Sequence, residues 1–184
     1  MKFKETNLKG NYLINLELRE DERGFFARYF CKKEFLLQGL NTNWLQINNS
    51  LSKEAGTLRG LHFQKEPNAE VKLVRCLKGA IWDVVVDLRD SSETFGKWFG
   101  AKLSDENRTM MYVPKGFAHG FISLEPDIEI LYLVSDYYAQ GSEGTLIWND
   151  QKIAIKWPIT PKVISTKDAK GSKLDEIIPI KVEN

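Results

Sequence analysis

Apolar and polar residues alternate along much of this chain in short runs: NYLINLEL, WLQINN, TLRGLHF, VKLVRCL, AIWDVVVDL, TMMYVP, GFISL, IEILYLVSDYY and GTLIW. Successive side chains of an extended chain point to opposite faces, so a period of two reads as strands. Glycines, prolines or Asn/Asp/Ser clusters punctuate most of the runs, the pattern of an antiparallel sandwich or barrel. A parallel α/β sheet would need helical connections of about ten residues or more, and these are missing. The best helix is KKEFLLQGL, stopped by Gly39, and LSDENRT predicts one further helical turn. From residue 160 onward the periodicity weakens, although apolar residues remain to anchor the segment. With no internal repeat and no linker-like stretch, residues 1–184 read as a single all-β domain with short peripheral helices.

The run from 80 to 88 adds a chemical clue. Trp82, Val84, Val86 and Leu88 share one face, while Ile81, Asp83, Val85 and Asp87 share the other. Carboxylates on an otherwise apolar face need partners or water. A polar cavity inside a β-barrel satisfies that requirement, and a solvent-facing sheet is the alternative.

Composition narrows the class. At 184 residues, 42% hydrophobic and 28% charged, the chain has enough apolar material for a sizeable core. Its formal net charge of +1 is spread without a basic stripe, which argues against a nucleic-acid surface. Cys31 and Cys76 lack metal-ligand spacing and read as free thiols, with a disulfide left open. Acids and asparagines interrupt the amino-terminal segment where a signal peptide needs an apolar run, and no window approaches the ~20 apolar residues of a membrane span. The expectation is a soluble, cytoplasmic protein.

Several residue types could do chemistry. In GTLRGLHFQ, His62 is one of only two histidines, beside Arg59. Imidazole titrates near neutral pH and suits a general base, and a guanidinium fork suits phosphate. A structural histidine and a local salt bridge are the plainer alternatives. His119, in VPKGFAHGF, sits among glycines that fit either a pocket wall or a tight hairpin. Lys72 begins an alternating segment with Val74 and Cys76, where its charge would suit a buried anion or enolate. Tyr132, between Ile130 and Val134, is either a proton donor or a packed ring. Two separated histidines without an H-x-H pair argue against a metal centre.

Taken in order, these segments are similar to the dTDP-4-dehydrorhamnose 3,5-epimerase family of deoxysugar-nucleotide epimerases, in the cupin superfamily. The resemblance covers nearly the whole chain and rests on DERGFFARYF, LQINNS, GTLRGLHFQ, EVKLVRCLKGAIWDVVVDLR, SSETFGKWFG, LSDENRTMMYVPKGFAHGF, LYLVSDYYA and IWND. It implies a cupin or jelly-roll β-barrel, a homodimer, and 3,5-epimerisation of a nucleotide-linked 4-keto-6-deoxyhexose with no metal or redox cofactor. It further implies His62 as base supported by Asp168, Lys72 beside the enolate, and Tyr132 as general acid on the opposite side. Arg23, Phe26, Gln46, Asn48, Arg59, His119 and Tyr138 are implied as nucleotide and phosphate contacts, with Asp83 in a supporting place. The early segment carrying Arg23 and Phe26 is implied to complete the partner subunit's site.

Two positions depart from the family pattern. Arg28 stands where many members carry Glu, and Leu133 follows the catalytic tyrosine where many carry Lys. Both leave the proton-transfer set intact and bear on specificity, leaving three alternatives: a CDP- or GDP-linked sugar, epimerisation at C3 alone, or a non-catalytic nucleotide-sugar-binding barrel.

Overall fold

The computed structural model describes residues 1–182. Chain order runs β1 (Lys2–Glu5), β2 (Tyr12–Asn15), β3 (Arg19–Asp21), β4 (Gly24–Phe26), α1 (Lys32–Leu37), β5 (Gln46–Ser52), β6 (Thr57–Gln64), β7 (Lys72–Lys78), β8 (Ala80–Asp87), β9 (Trp98–Ser104), β10 (Thr109–Val113), β11 (Phe117–Ser123), β12 (Ile128–Val134), β13 (Glu143–Thr145), β14 (Val163–Ile164) and α2 (Thr166–Ala169). One six-stranded sheet has the order β1-β2-β10-β7-β12-β5. The second has the order β13-β6-β11-β8-β9, with β14 pairing β6 in parallel. The β3–β4 hairpin stands apart as a two-stranded ribbon, exposed throughout.

Alternation explains the layers. Val74 and Cys76 of β7, Ile130 of β12, Ile81 and Val85 of β8, and Phe117 and Phe121 of β11 meet between the sheets. The complementary residues Leu73, Met110 and Leu133 point outward from the first sheet and are covered by Phe35 of α1 and the aromatics around it. Outside the second sheet, Leu61, Val84 and Val86 lie beneath Leu146, Ile153, Ile177 and Ile180. Both sheets are therefore covered on both faces, which is why β8 is apolar at nearly every position. Each fully buried aliphatic or aromatic side chain contributes about 1.5–3 kcal/mol relative to exposure.

The helix expected at KKEFLLQGL forms over six residues, too few to persist without tertiary contacts. Phe35, fully buried, supplies them, packing edge-on to Phe3 and Phe30 at 5.3 and 4.9 Å. Gly39 ends the helix in the left-handed region at φ +68. The helical turn expected at LSDENRT is instead a tight link from β9 to β10. There Ser104 N–H donates to Asn107 Oδ1 and Asn107 N–H donates to Ser104 Oγ, both at 3.0 Å. Such reciprocal side-chain bonds compete with helical ones and win over so short a span. Cys31 and Cys76 are free, and among the described residues no helix is long and apolar enough to cross a membrane. The architecture is a cupin or jelly-roll-type β-sandwich with short helices at its edge.

Candidate active site

A register irregularity in β6 creates the site. His62 pairs with His119, but Arg59 pairs with Phe121, so three steps on β6 match two on β11. In a regular strand residues three apart point to opposite faces; the extra residue lets both Arg59 and His62 turn inward. Gly60 makes the bulge possible. Its φ is +116, and a Cβ there would lie 2.6 Å from Gly120 Cα, a contact that only paired glycines avoid.

Opposite this bulge, β14 runs parallel to β6, pairing Val163 with Thr57 and Ile164 with Leu58, and delivers α2 to the cavity mouth. Ser165 caps α2 by accepting the Asp168 N–H at 3.1 Å. Asp168 is thereby turned inward, with Oδ1 2.6 Å from His62 Nε2 and Oδ2 accepting the Gly60 N–H at 3.2 Å. Burial alone would raise the Asp168 carboxyl, but the bond to His62, its charge, and the Gly60 and Ser165 contacts outweigh it and hold the group below the usual carboxylate range. An ionised Asp168 only accepts hydrogen bonds. Whenever His62 is in its neutral form, this bond places the proton on Nε2 and leaves the lone pair on Nδ1.

The first sheet supplies the facing wall. Tyr132 on β12 stands beside Val74 of β7, and Lys72 enters from the same strand. Burial raises the Tyr132 phenol above its ordinary value, the Glu70 carboxylate adds to the rise and Arg59 opposes it. Lys72 Nζ is paired with Glu70 Oε1 at 3.1 Å. Between the walls lies a cavity of about 450 Å³ whose lining includes Arg59, His62, Lys72, His119, Tyr132 and Asp168. Its base is apolar, formed by Val74, Phe121 and Ile130. A few convergent polar groups over such a base are the usual form of a small-molecule site.

Arg59 donates to Ser52 Oγ at 3.1 Å and to Leu51 O at 3.0 Å. Both acceptors are neutral, so its charge is available to an anion rather than spent on a local acid. His119 Nε2 lies 2.8 Å from Asp83 Oδ1, with Asp83 fully buried and its Oδ2 without a partner among the described residues. The supporting place expected for Asp83 thus corresponds to the histidine beside the cavity. Asp87 differs from the cavity expectation. It is locked by Arg89, Ser92 and Thr94 at the end of β8 and does not line this cavity.

Other expected residues are placed less uniformly. Asn48 and Gln46 share the inward face of β5, Asn48 opposite Tyr132, and Gln46 Oε1 accepts the Tyr138 N–H at 3.1 Å. The exposed Tyr138 hydroxyl donates to Glu143 Oε2 at 3.0 Å, and Glu143 pairs with Lys167. Arg23 and Phe26 project on the β3–β4 hairpin and do not line this chain's own cavity; Arg23 pairs with Asp21. Arg28 pairs with Glu34 at 3.5 Å, also away from the cavity. Leu133, expected to bear on specificity, does not line this cavity. One residue beyond Tyr132, it points to the opposite face of β12 and is buried in the outer cluster with Leu73 and Met110. An apolar residue is what that outward position requires.

Sequence reasoning missed Ser50, Glu70, Glu143 and Lys167. Lys167 adjoins Asp168 on α2 and lines the cavity, as does Ser50, the next inward residue of β5 after Asn48. Period-two counting from Asn48, and proximity to Asp168, were the signals that pointed to them. Among the described residues no group of three or more His, Cys, Asp or Glu side chains is arranged to hold a metal ion.

The chain that carries this His–Asp pair, tyrosine and lysine around one cavity is similar to known proteins. The family model described as dTDP-4-dehydrorhamnose 3,5-epimerase matches residues 5–176. A protein of that name from Salmonella typhimurium is 46% identical over 160 residues, covering 86% of this chain and 87% of the relative. The crystal structure of the Elizabethkingia anophelis enzyme superposes with a TM-score of 0.92 at 44% identity, covering 96% of this chain and 97% of that one. The Legionella pneumophila enzyme, solved in complex with dTDP-4-keto-L-rhamnose, gives a TM-score of 0.92 at 37% identity, covering 100% and 99%. With the family model spanning residues 5–176 and these likenesses covering most of its length, the chain belongs to the dTDP-4-dehydrorhamnose 3,5-epimerase family.

Proposed function

We propose that this chain catalyses 3,5-epimerisation of a dTDP-linked 4-keto-6-deoxyhexose, turning dTDP-4-dehydro-6-deoxy-D-glucose into dTDP-4-dehydro-L-rhamnose. The observation that carries the reading is the placement of His62, backed by Asp168 at 2.6 Å, and Tyr132 on different walls of one cavity with Lys72 alongside.

The chemistry follows from the carbonyl. A C4 ketone acidifies the hydrogens at C3 and C5 because the electron pair left behind spreads onto oxygen. His62 removes one of these protons while Asp168 stabilises the imidazolium formed. Lys72 faces the negative enolate oxygen, the kind of pre-arranged charge that commonly contributes several kcal/mol. Tyr132 returns a proton to the opposite face of the ring, inverting the carbon. The tyrosinate then regains a proton and His62 loses one to solvent, so the site resets and the substrate's oxidation state is unchanged. Repetition at the second carbon completes the conversion. Arg59, without an acidic partner among the described residues, is the natural seat of the diphosphate.

The working unit of this reading is a single domain acting as a homodimer. Ile47 and Leu51 on the outer face of edge strand β5 are 65% and 43% exposed, and Phe26 on its hairpin is 64% exposed. Burying such residues against a second copy removes apolar surface from water. The same contact would carry Arg23 and Phe26 to the partner's cavity and set Phe26 and Tyr138 around the nucleotide base. Free Cys31 and Cys76 are in keeping with a cytoplasmic location.

The test is incubation with dTDP-4-dehydro-6-deoxy-D-glucose in D₂O, followed by proton NMR. Deuterium at both C3 and C5 with the L-configured product is expected. Label at C3 alone would make it a mono-epimerase, and bound substrate without label would make it a binding barrel.

A further inference from the structure

Lys72 does not stand alone in the cavity wall. Glu70 lies two residues before it, and an extended chain turns such residues to the same side. The residue between them, Val71, fixes that orientation. It is buried with the outer cluster, its N–H donates to Ser135 Oγ at 2.8 Å, and its carbonyl accepts the Ser135 N–H at 3.1 Å. With Val71 clamped outward, Glu70 and Lys72 share the inner side and meet at 3.1 Å, their side chains only 12% and 11% exposed. At that exposure solvent screens the pair little, unlike an ordinary surface ion pair.

Resting on the epimerase reading, we propose that Glu70 is a positioning residue for the reaction, anchoring the Lys72 ammonium toward the enolate and setting the charge beside Tyr132. An ammonium has three hydrogens; Glu70 engages one direction and leaves the others for substrate oxygen. The pairing also sorts the lining cations. Lys72 is matched by Glu70 and Lys167 by Glu143, whereas Arg59 binds neutral acceptors. The diphosphate is thereby drawn to Arg59 while Lys72 remains with the sugar.

Tyr132 is the reporter. The charged or titratable groups lining its cavity are Arg59 and His62 of β6, Lys72 of β7, His119 of β11, and Lys167 and Asp168 of α2. After burial, the Glu70 charge is the largest influence lifting the phenol, with Arg59 acting against it. A general acid must hold its proton, so Glu70 extends the pH range over which Tyr132 can donate.

The experiment compares the parent protein with Glu70→Gln and Glu70→Asp. Tyr132 ionisation is read as the ultraviolet tyrosinate signal lost when Tyr132→Phe is added to each, and kcat and KM for substrate are followed against pH. In Glu70→Gln the phenol is expected to ionise at lower pH, the alkaline limb of kcat to move the same way, and kcat to fall more than KM changes. Glu70→Asp, which keeps the charge, is expected to restore much of the parent's alkaline limb. A phenol that titrates identically in the parent and Glu70→Gln would overturn the inference. A parent protein that binds the sugar but never exchanges its hydrogens would remove the epimerase reading instead, and the phenol titration would still decide the role of Glu70.

Discussion

His62 and His119 face one another as register partners across the β6–β11 ladder, and each carries its own carboxylate, Asp168 and Asp83 respectively. The two pairs differ in access. The His62 side chain is 33% exposed and its carboxylate arrives from α2, whereas His119 is 10% exposed over a fully buried Asp83. Proton traffic needs a ring that both substrate and water can reach, which favours His62 over His119 as the proposed base.

Changing His62 to Ala removes the proposed base. Loss of a general base commonly lowers rate by ~10²–10⁴-fold, and deuterium uptake at C3 and C5 should fall by that order while dTDP affinity, measured by calorimetry, changes little. Tyr132→Phe should separate the two halves of the reaction, with hydrogen exchange from the His62 side surviving better than formation of inverted product.

The His62–Asp168 pair also couples stability to pH. Because the folded state holds the Asp168 carboxyl below its ordinary 3.8, its stabilising contribution is complete above that pH and is lost as the pH falls through the folded value. Urea unfolding at a series of acidic pH values should show this decline in the parent. In Asp168→Asn the decline should be shallower, and kcat at neutral pH should be depressed.

Arg59→Ala should weaken dTDP binding by about ten- to a hundredfold, since a hydrogen bond to a charged group is worth about 1.5–3 kcal/mol. Isothermal titration at low and moderate salt would check it. The penalty belongs to the diphosphate, so deoxythymidine alone should bind the parent and the variant about equally.

Gly60→Ala should cost about 1–3 kcal/mol from backbone strain at φ +116, with more from the collision with Gly120. Chemical denaturation would measure the loss. Because the bulge is what lets Arg59 and His62 face the same way, the folded fraction should also lose kcat, beyond what reduced stability explains.

Much of the core was legible in the sequence because β7, β8 and β12 are short runs rich in β-branched and other apolar residues. Strands without that signal escaped it. KFKE of β1 is a polar edge, RED and GFF of the hairpin are exposed on both faces, and WFGAKLS of β9 mixes small and charged residues. From spacing the residues of the site were legible only one by one; the family resemblance was what grouped them as a site. Arg59 and His62 are spaced for opposite faces until a bulge intervenes, and Asp168 lies in a stretch of weak periodicity placed by a two-residue parallel strand. Leu133, the departure next to Tyr132, is sent by alternation to the outer core.

His62 and Asp168 are separated by 106 positions. A ribosome extending this polypeptide therefore lays down the abstracting ring long before the anion that steadies it. The unfinished chain has no such dyad while most of the barrel strands are already made, and His62 gains its carboxylate only once α2 has been added.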